Sequence, residues 1–287
     1  MVASTLAIIS LIVPPVNIVS SAVVALVTLR RGALEGLWVL LFSSIATAVL
    51  GLLILGGYQF ALLFGLLMWL PIWVVSIVLR EGRHLSLAVE SGVWLGSLGV
   101  LGFYLYQGEP ADYWQPMIEQ MIEPILATTS EIPVEAVEQS VRAFAHIMTG
   151  TLASGIVSFL SFGLFLGRWW QSILYNPGGF REEYLSLSTR PRLALGSIAV
   201  IAISLLGTGT ISEIARNITI LLVLLYMFIG SAVVHAIFSK LSARRFLVPM
   251  FYVTLMVIPH VLFPVAVIGL LDAWLNLRNK FSNNPAP

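Results

Sequence analysis

The sequence predicts an all-α polytopic membrane protein with about eight transmembrane segments, the first and last broken by proline. Three observations carry this fold class. Hydrophobic residues make up 58% of the 287-residue chain and charged residues only 10%, whereas an ordinary soluble domain is about a quarter charged. The mean hydropathy is +0.95. The apolar residues fall into runs near the roughly 20 that a helix needs to cross about 30 Å of hydrocarbon. Lysine and arginine cluster in alternate gaps between those runs, the pattern of a chain threaded back and forth through a bilayer.

The first run covers residues 3–29 and is interrupted by Pro14 and Pro15. Paired prolines remove backbone donors and break a helix, so this is either one kinked span or two half-helices folded as a hairpin. The second run is 33–56. The third is about 58–79, with Pro71 expected to kink it, and the fourth is about 85–106. A polar interval follows at 107–143. Further runs lie at about 144–166, 193–206 (extending towards 210), 218–238 and 246–271. The last carries Pro249, Pro259 and Pro264 and is expected to break. These elements form one integral membrane domain over 1–281, followed by a short polar tail, 282–287, expected to be disordered. Met1 to Val13 lacks a basic start and a small-residue cleavage site, so it reads as a membrane segment and not as a signal peptide.

Orientation follows from Arg30, Arg31, Arg80, Arg83, Arg168, Arg181, Arg190, Arg192, Lys240, Arg244 and Arg245, eleven of the fifteen basic residues, which all fall in alternate gaps. Those gaps are assigned to the cytoplasm of a bacterial inner membrane. Arg142 and Arg216 fall on the other side. Arg278 and Lys280 conflict with a plain eighth crossing, and a re-entrant last segment that brings the tail back inside is the favoured reading. The interval 107–143 carries Glu109, Asp112, Glu119, Glu123, Glu131, Glu135 and Glu138 against Arg142, which suits an extracytoplasmic segment. Met117, Ile118, Met121, Ile122 and Ile125 recur at helical spacing. This predicts an amphipathic helix, lying either on the membrane surface or as a lid over an outward pocket. Ser130, Pro133 and Glu135 mark a helix start that runs into the fifth span.

Composition excludes several chemistries. With no cysteine, thiol catalysis, disulfides and Cys-ligated metals are ruled out. His84, His146, His235 and His260 include no His-x-x-x-His pair, so no metal or other cofactor is expected. A net charge of +1 gives no support for nucleic-acid binding. Gly-Lys-Ser phosphate loops, Gly-x-Ser-x-Gly and His-Glu-x-x-His are absent from the sequence, so no catalytic residue is nominated and an enzyme is not expected. Gly32-x-x-x-Gly36, Gly92-x-x-x-Gly96 and Gly163-x-x-x-Gly167 point to close helix packing. Glu35 and Glu90 lie near helix starts, where a carboxylate favours the helix dipole. His235 and His260 are deeper ionisable candidates, more simply read as hydrogen-bonded core residues.

The most individual stretch is the cytoplasmic loop 168–192. Arg168, Trp169 and Trp170 stand where a span leaves the membrane, as interfacial residues do. Asn176-Pro177-Gly178-Gly179 is a turn signal. Phe180 and Arg181 follow at once. Arg168, Trp169, Trp170, Asn176, Gly178, Gly179, Phe180 and Arg181 are therefore a candidate interaction or anion site, in which a guanidinium beside exposed backbone N–H groups would bind an anion. Asp272, Asn276 and Arg278 form a second candidate polar cluster. It is either simple helix-end polarity or a set that pairs with arginines of the central loop, the latter only if the tail lies inside.

The run Arg168-Trp169-Trp170-Gln171, then Leu174 through Glu183, with Leu29-Arg30-Arg31-Gly32 and Gly269 through Arg278, resembles the proteobacterial branch of the YybS-like membrane proteins, domain of unknown function 2232. The resemblance covers most of the chain. It implies a distant similarity to the substrate-binding S components of energy-coupling-factor transporters and to MreD-like cell-shape proteins, hence an S-component-like helical bundle. Two functions follow as expectations. One is small-molecule binding or uptake, with a separate energy-coupling module as partner, since the chain has no ATPase motif. The other is a membrane scaffold or regulatory protein of the envelope that docks a membrane protein partner through the central loop.

Overall fold

In the computed structural model the described residues are 3, 5, 6, 16–126 and 133–280. The expected break at Pro14 and Pro15, the helix-start residue Ser130, Glu131 of the acidic interval, and the tail 282–287 lie outside them. Among the described residues every regular element is helical. In chain order these are α1 (Val16–Arg31), α2 (Ala33–Leu55), α3 (Gln59–Phe64), α4 (Leu70–Gly82), α5 (Leu85–Gln107), α6 (Pro110–Leu126), α7 (Val134–Tyr175), α8 (Gly179–Leu185), α9 (Pro191–Leu206), α10 (Gly209–Phe238), α11 (Arg244–Val257), α12 (Leu262–Leu275) and α13 (Leu277–Lys280).

Five helices are long and apolar enough to cross a membrane: Ala33–Ile54, Leu62–Gly82, Leu85–Gln107, Glu135–Tyr175 and Gly209–Phe238. A sixth span results if the bent pair Arg244–Val257 and Pro259–Leu275 counts as one. Each of the eight apolar runs falls on helix within the described residues, but α1 and α9 have only 16 residues each. The third run is not a simple proline kink. A π-helical turn, Gly65–Trp69, falls just before Pro71, where the proline ring excludes the carbonyl one turn back and a widened turn relieves the clash. The fifth run has no boundary at 143. α7 starts after Pro133 and continues unbroken for 42 residues.

Small residues set the helix contacts. A Cβ on Gly163 would lie 2.8 Å from Ser21 Cβ, and one on Gly167 would lie 2.9 Å from Ala22 O, so this glycine pair seats α7 directly on α1. Near the basic end, α12 lies on α10. A Cβ on Gly230 would come within 1.9 Å of Val265 O, and one on Gly269 within 2.1 Å of Tyr226 O. Trp69 is fully buried and donates to Ser20 Oγ at 3.1 Å. The core contains Ile72, Val89, Val157, Leu164, Leu221 and Leu225. α2 leaves Leu34, Trp38, Phe42, Ile45, Leu53 and Ile54 more than half exposed, the surface expected against lipid tails.

The last segment turns back on itself. α11 and the following helix meet at 112° through the short 3-10 turn Pro259–Val261. Lys240 Nζ, just before α11, donates to Arg278 O at 2.9 Å. Both ends of the bent pair therefore lie at one end of the bundle, and the tail joins the other basic residues there. Only Arg142 and Arg216 of the fifteen basic residues remain at the opposite, acidic end.

Candidate functional site

The central stretch is not an open loop. α7 carries Arg168, Trp169 and Trp170 inside its last turns, and the chain reverses at Asn176-Pro177-Gly178 into α8. Gly178 has φ 92°, a left-handed conformation that glycine adopts without strain. Ser172 fastens the turn: its Oγ donates to Asn176 O at 2.7 Å and accepts the Phe180 N–H at 3.1 Å. The Gly179 N–H donates to Asn176 O at 3.0 Å. Gly179 is buried and packs against the Asn176 side chain, which a Cβ would strike at 2.3 Å. The Gly179 and Phe180 N–H groups are thus engaged within the turn.

Four of the eight residues nominated from the sequence, Trp169, Gly178, Phe180 and Arg181, line one cleft of about 450 Å³. Phe162, Phe165, Ser172 and Ile173 of α7, Tyr184 of α8, His235 of α10 and Tyr252 of α11 complete its wall. The aromatic rings interlock: Phe165 contacts Phe180, Tyr184 and Phe228 at centroid distances of 6.0, 5.8 and 5.4 Å. A polar chain crosses the cleft. His235 Nδ1 is 2.9 Å from Tyr252 Oη, which donates to Tyr184 Oη at 3.2 Å. Arg181 Nη2 donates to Ser239 Oγ at 3.2 Å. Burial, and then the neighbouring Tyr252, pushes the Tyr184 phenol above the ordinary tyrosine range.

The other nominated residues lie elsewhere. Arg168 faces away from the cleft: its Nε donates to Glu183 Oε2 at 2.9 Å, its Nη2 to Glu183 Oε1, and its Nη1 to Gln171 Oε1 at 3.1 Å. This two-pronged pair holds α8 on α7. Trp170 is half-buried and outside the cleft wall. Asn176 acts through its carbonyl and its packing on Gly179.

The second cluster does meet the central segment, through different groups from those expected. Asp272 is 5% exposed; its Oδ1 accepts the Leu277 N–H at 2.8 Å, and its Oδ2 takes Arg278 Nη2 at 3.2 Å. Arg278 also donates to the carbonyls of Leu185 and Leu187, at the end of α8 and just beyond. The pairing runs from the tail arginine to loop carbonyls, not from loop arginines to Asp272. Asn276 ends α12 with φ 46° and serves as a left-handed cap. Burial pulls the Arg278 pKa down, and Asp272 opposes that shift.

A polar cluster at the acidic end was not nominated. Asn217 of α10 is fully buried. Its Oδ1 accepts the Gly150 N–H at 2.6 Å, and its Nδ2 reaches Tyr104 Oη, His146 O and Glu213 O at 3.0, 2.8 and 2.9 Å. Tyr104 donates to Glu213 Oε1 at 2.7 Å, and His146 Nδ1 is 2.8 Å from Glu213 Oε2. One turn along α7, Thr149 accepts from Trp114 of α6 at 2.8 Å. Trp114 and Thr149 both line an apolar cleft of about 460 Å³ between α3, α5 and α7. Only the four-residue spacing of Glu213 and Asn217 hinted at this cluster, and it fell just outside the apolar run that begins at 218. Of the other ionisable candidates, Glu90 accepts from Thr189 at 2.9 Å. Glu35 is exposed in the first turn of α2, and His260 is exposed at the 112° bend.

Span-length helices, a bent terminal pair and clefts at both ends define an all-α polytopic membrane protein. The chain belongs to the family described as "Predicted membrane protein (DUF2232)", whose model matches residues 1–273. No curated protein and no solved structure matches it.

Proposed function

We propose that this protein binds a small amphiphilic molecule at the basic end, in a role like that of a transporter S component in a bacterial inner membrane. The observation that carries this reading is the cleft of about 450 Å³ walled by Trp169, Phe180, Tyr184 and Tyr252, with the single guanidinium Arg181 on its wall. Its volume falls within the roughly 300–1,000 Å³ of small-molecule sites, and apolar walls with few polar groups are their usual chemistry. Aromatic faces hold a planar or aliphatic body, and Arg181 holds an anionic end. The broken terminal helix supports the reading, because interrupted segments often border transporter sites. The positive-inside pattern supports a cytoplasmic side for this cleft. The apolar cleft beside Trp114 would then offer a way in from the other face, with α6 as its lid. Uptake would need a separate energy-coupling partner. The proposed role is binding without catalysis.

The test is a mass-spectrometric inventory of what co-purifies with the gently solubilised protein. A small molecule retained by the wild type and lost from Trp169→Ala and Arg181→Ala is expected. Identical inventories for all three would overturn the reading. A scaffold role akin to that of MreD-like proteins is the second reading, favoured by Ile173, Leu174 and Tyr175, which are 51%, 61% and 58% exposed beside the turn. A polypeptide lost from Leu174→Ala, with no small molecule bound, would favour it.

A further inference from the structure

The same helices build a second, chemically different cleft on the other side of α8. It has a volume of about 260 Å³ and is lined by Leu29, Leu79, Arg80, Arg83, Arg168, Gln171 and Glu183. Three guanidiniums thus meet one carboxylate. That carboxylate is already engaged by Arg168 through two oxygens. Arg80 is anchored by donating to Leu29 O at 2.6 Å, and Gln171 Nε2 reaches the same carbonyl at 3.4 Å. Arg83 stands at the left-handed cap of α4, with φ 55°. Among the described residues its guanidinium makes no hydrogen bond or ion pair. Arg80 Nε also lies 3.7 Å from Oε1 of the exposed Glu81, a solvent-screened pair; Glu81 and the exposed Glu35 stay outside the lining.

We infer that this cleft is a binding site for a phosphate group, held by Arg83 and Arg80 with Arg168 behind them. Guanidinium forks match phosphate oxygens in pairs and are less strongly hydrated than ammonium groups, so they suit a partly enclosed anion. The cleft is smaller than the roughly 300–1,000 Å³ that encloses a whole drug-sized ligand. It fits a phosphoryl head whose remainder lies outside. Its place at the membrane's basic end gives two sources of that chemistry, the headgroup of an anionic lipid and free phosphate. The site does not depend on the aromatic cleft, which lies beyond α8.

The test uses the full chain in nanodiscs of phosphatidylcholine with or without phosphatidylglycerol, and in detergent with inorganic phosphate. Native mass spectrometry reads bound lipid, and thermal unfolding reads phosphate. Phosphatidylglycerol should be retained over phosphatidylcholine by the wild type. It should fall about tenfold in Arg83→Ala, fall less in Arg83→Lys and stay unchanged in Arg192→Ala. If phosphate alone stabilises the wild type but not Arg83→Ala, the source is free phosphate. If only phosphatidylglycerol responds, the source is the lipid headgroup. Equal retention of both lipids together with no phosphate response would overturn the inference. So would an equal loss in Arg192→Ala, because general basic charge would then explain the binding. Matching circular dichroism spectra and elution volumes guard against misfolded variants.

Discussion

At the residue scale, position in the fold decides what each group does. Tyr184 shows this through its proton. Its pKa is raised, mainly by burial, while an unfolded tyrosine ionises near 10. The stability tied to its protonated form is complete below about pH 10. It is lost as pH rises, because the unfolded chain releases the proton first. One unit above the unfolded pKa the loss is about 1.4 kcal/mol. Thermal unfolding between about pH 9 and 11 should show a steeper alkaline decline for the wild type than for Tyr184→Phe. Equal slopes would mean that the phenol ionises as freely in the fold as outside it. The turn shows how far single residues were legible. Asn176-Pro177-Gly178-Gly179 announces a reversal by backbone chemistry alone, and it is one. Its closed set of hydrogen bonds through Ser172 could not be read, because they depend on how far α7 continues.

At the element scale, apolar runs specify helices, and glycines specify how near two helices come. Gly269 and Gly230 let α12 lie against the backbone of α10. Gly269→Ala would force the helices apart, at an expected loss of about 1–3 kcal/mol. Gly196→Ala, where a Cβ meets nothing within 4 Å, should be neutral or gain up to about 1 kcal/mol from helix propensity. Thermal unfolding in one detergent compares the two, and equal effects would remove the close-contact explanation. Run length and proline placement located the helices well. The helix start at Pro133 and Glu135 also foretold that α7 runs unbroken from the acidic segment into the span, but these signals did not fix where along it the span begins. Nor could they show that Pro71 is met by a π turn, which depends on a single extra residue.

At the scale of the whole molecule, charge placement carried most of the topology, and the awkward Arg278 and Lys280 were its best clue to the returning tail. The candidate site was half legible. Trp169, Phe180 and Arg181 lie in one stretch, but Tyr252 and His235 reach the cleft only through tertiary packing, and no local pattern marks such a meeting. The chain's lack of cysteine makes the topology testable with single introduced thiols. A membrane-impermeant maleimide should label Ser242→Cys and Asn279→Cys from one side and Glu119→Cys from the other. Labelling of Asn279→Cys together with Glu119→Cys would show that the last segment crosses.

α7 has a mechanical consequence. At about 1.5 Å per residue its 42 residues make a rod of about 63 Å, longer than a bilayer with its headgroups at about 40–45 Å. Its acidic end, with Ala136, Ser140 and Val141, lies beside Ile118 and Ile122 of α6, and its other end carries Arg168 and Ser172, tied to α8. Rocking such a rod by about 10° about its middle swings each end about 5 Å in opposite directions. Unless the rod bends, a displacement at the acidic tip is delivered, reversed, to the turn that closes the aromatic cleft.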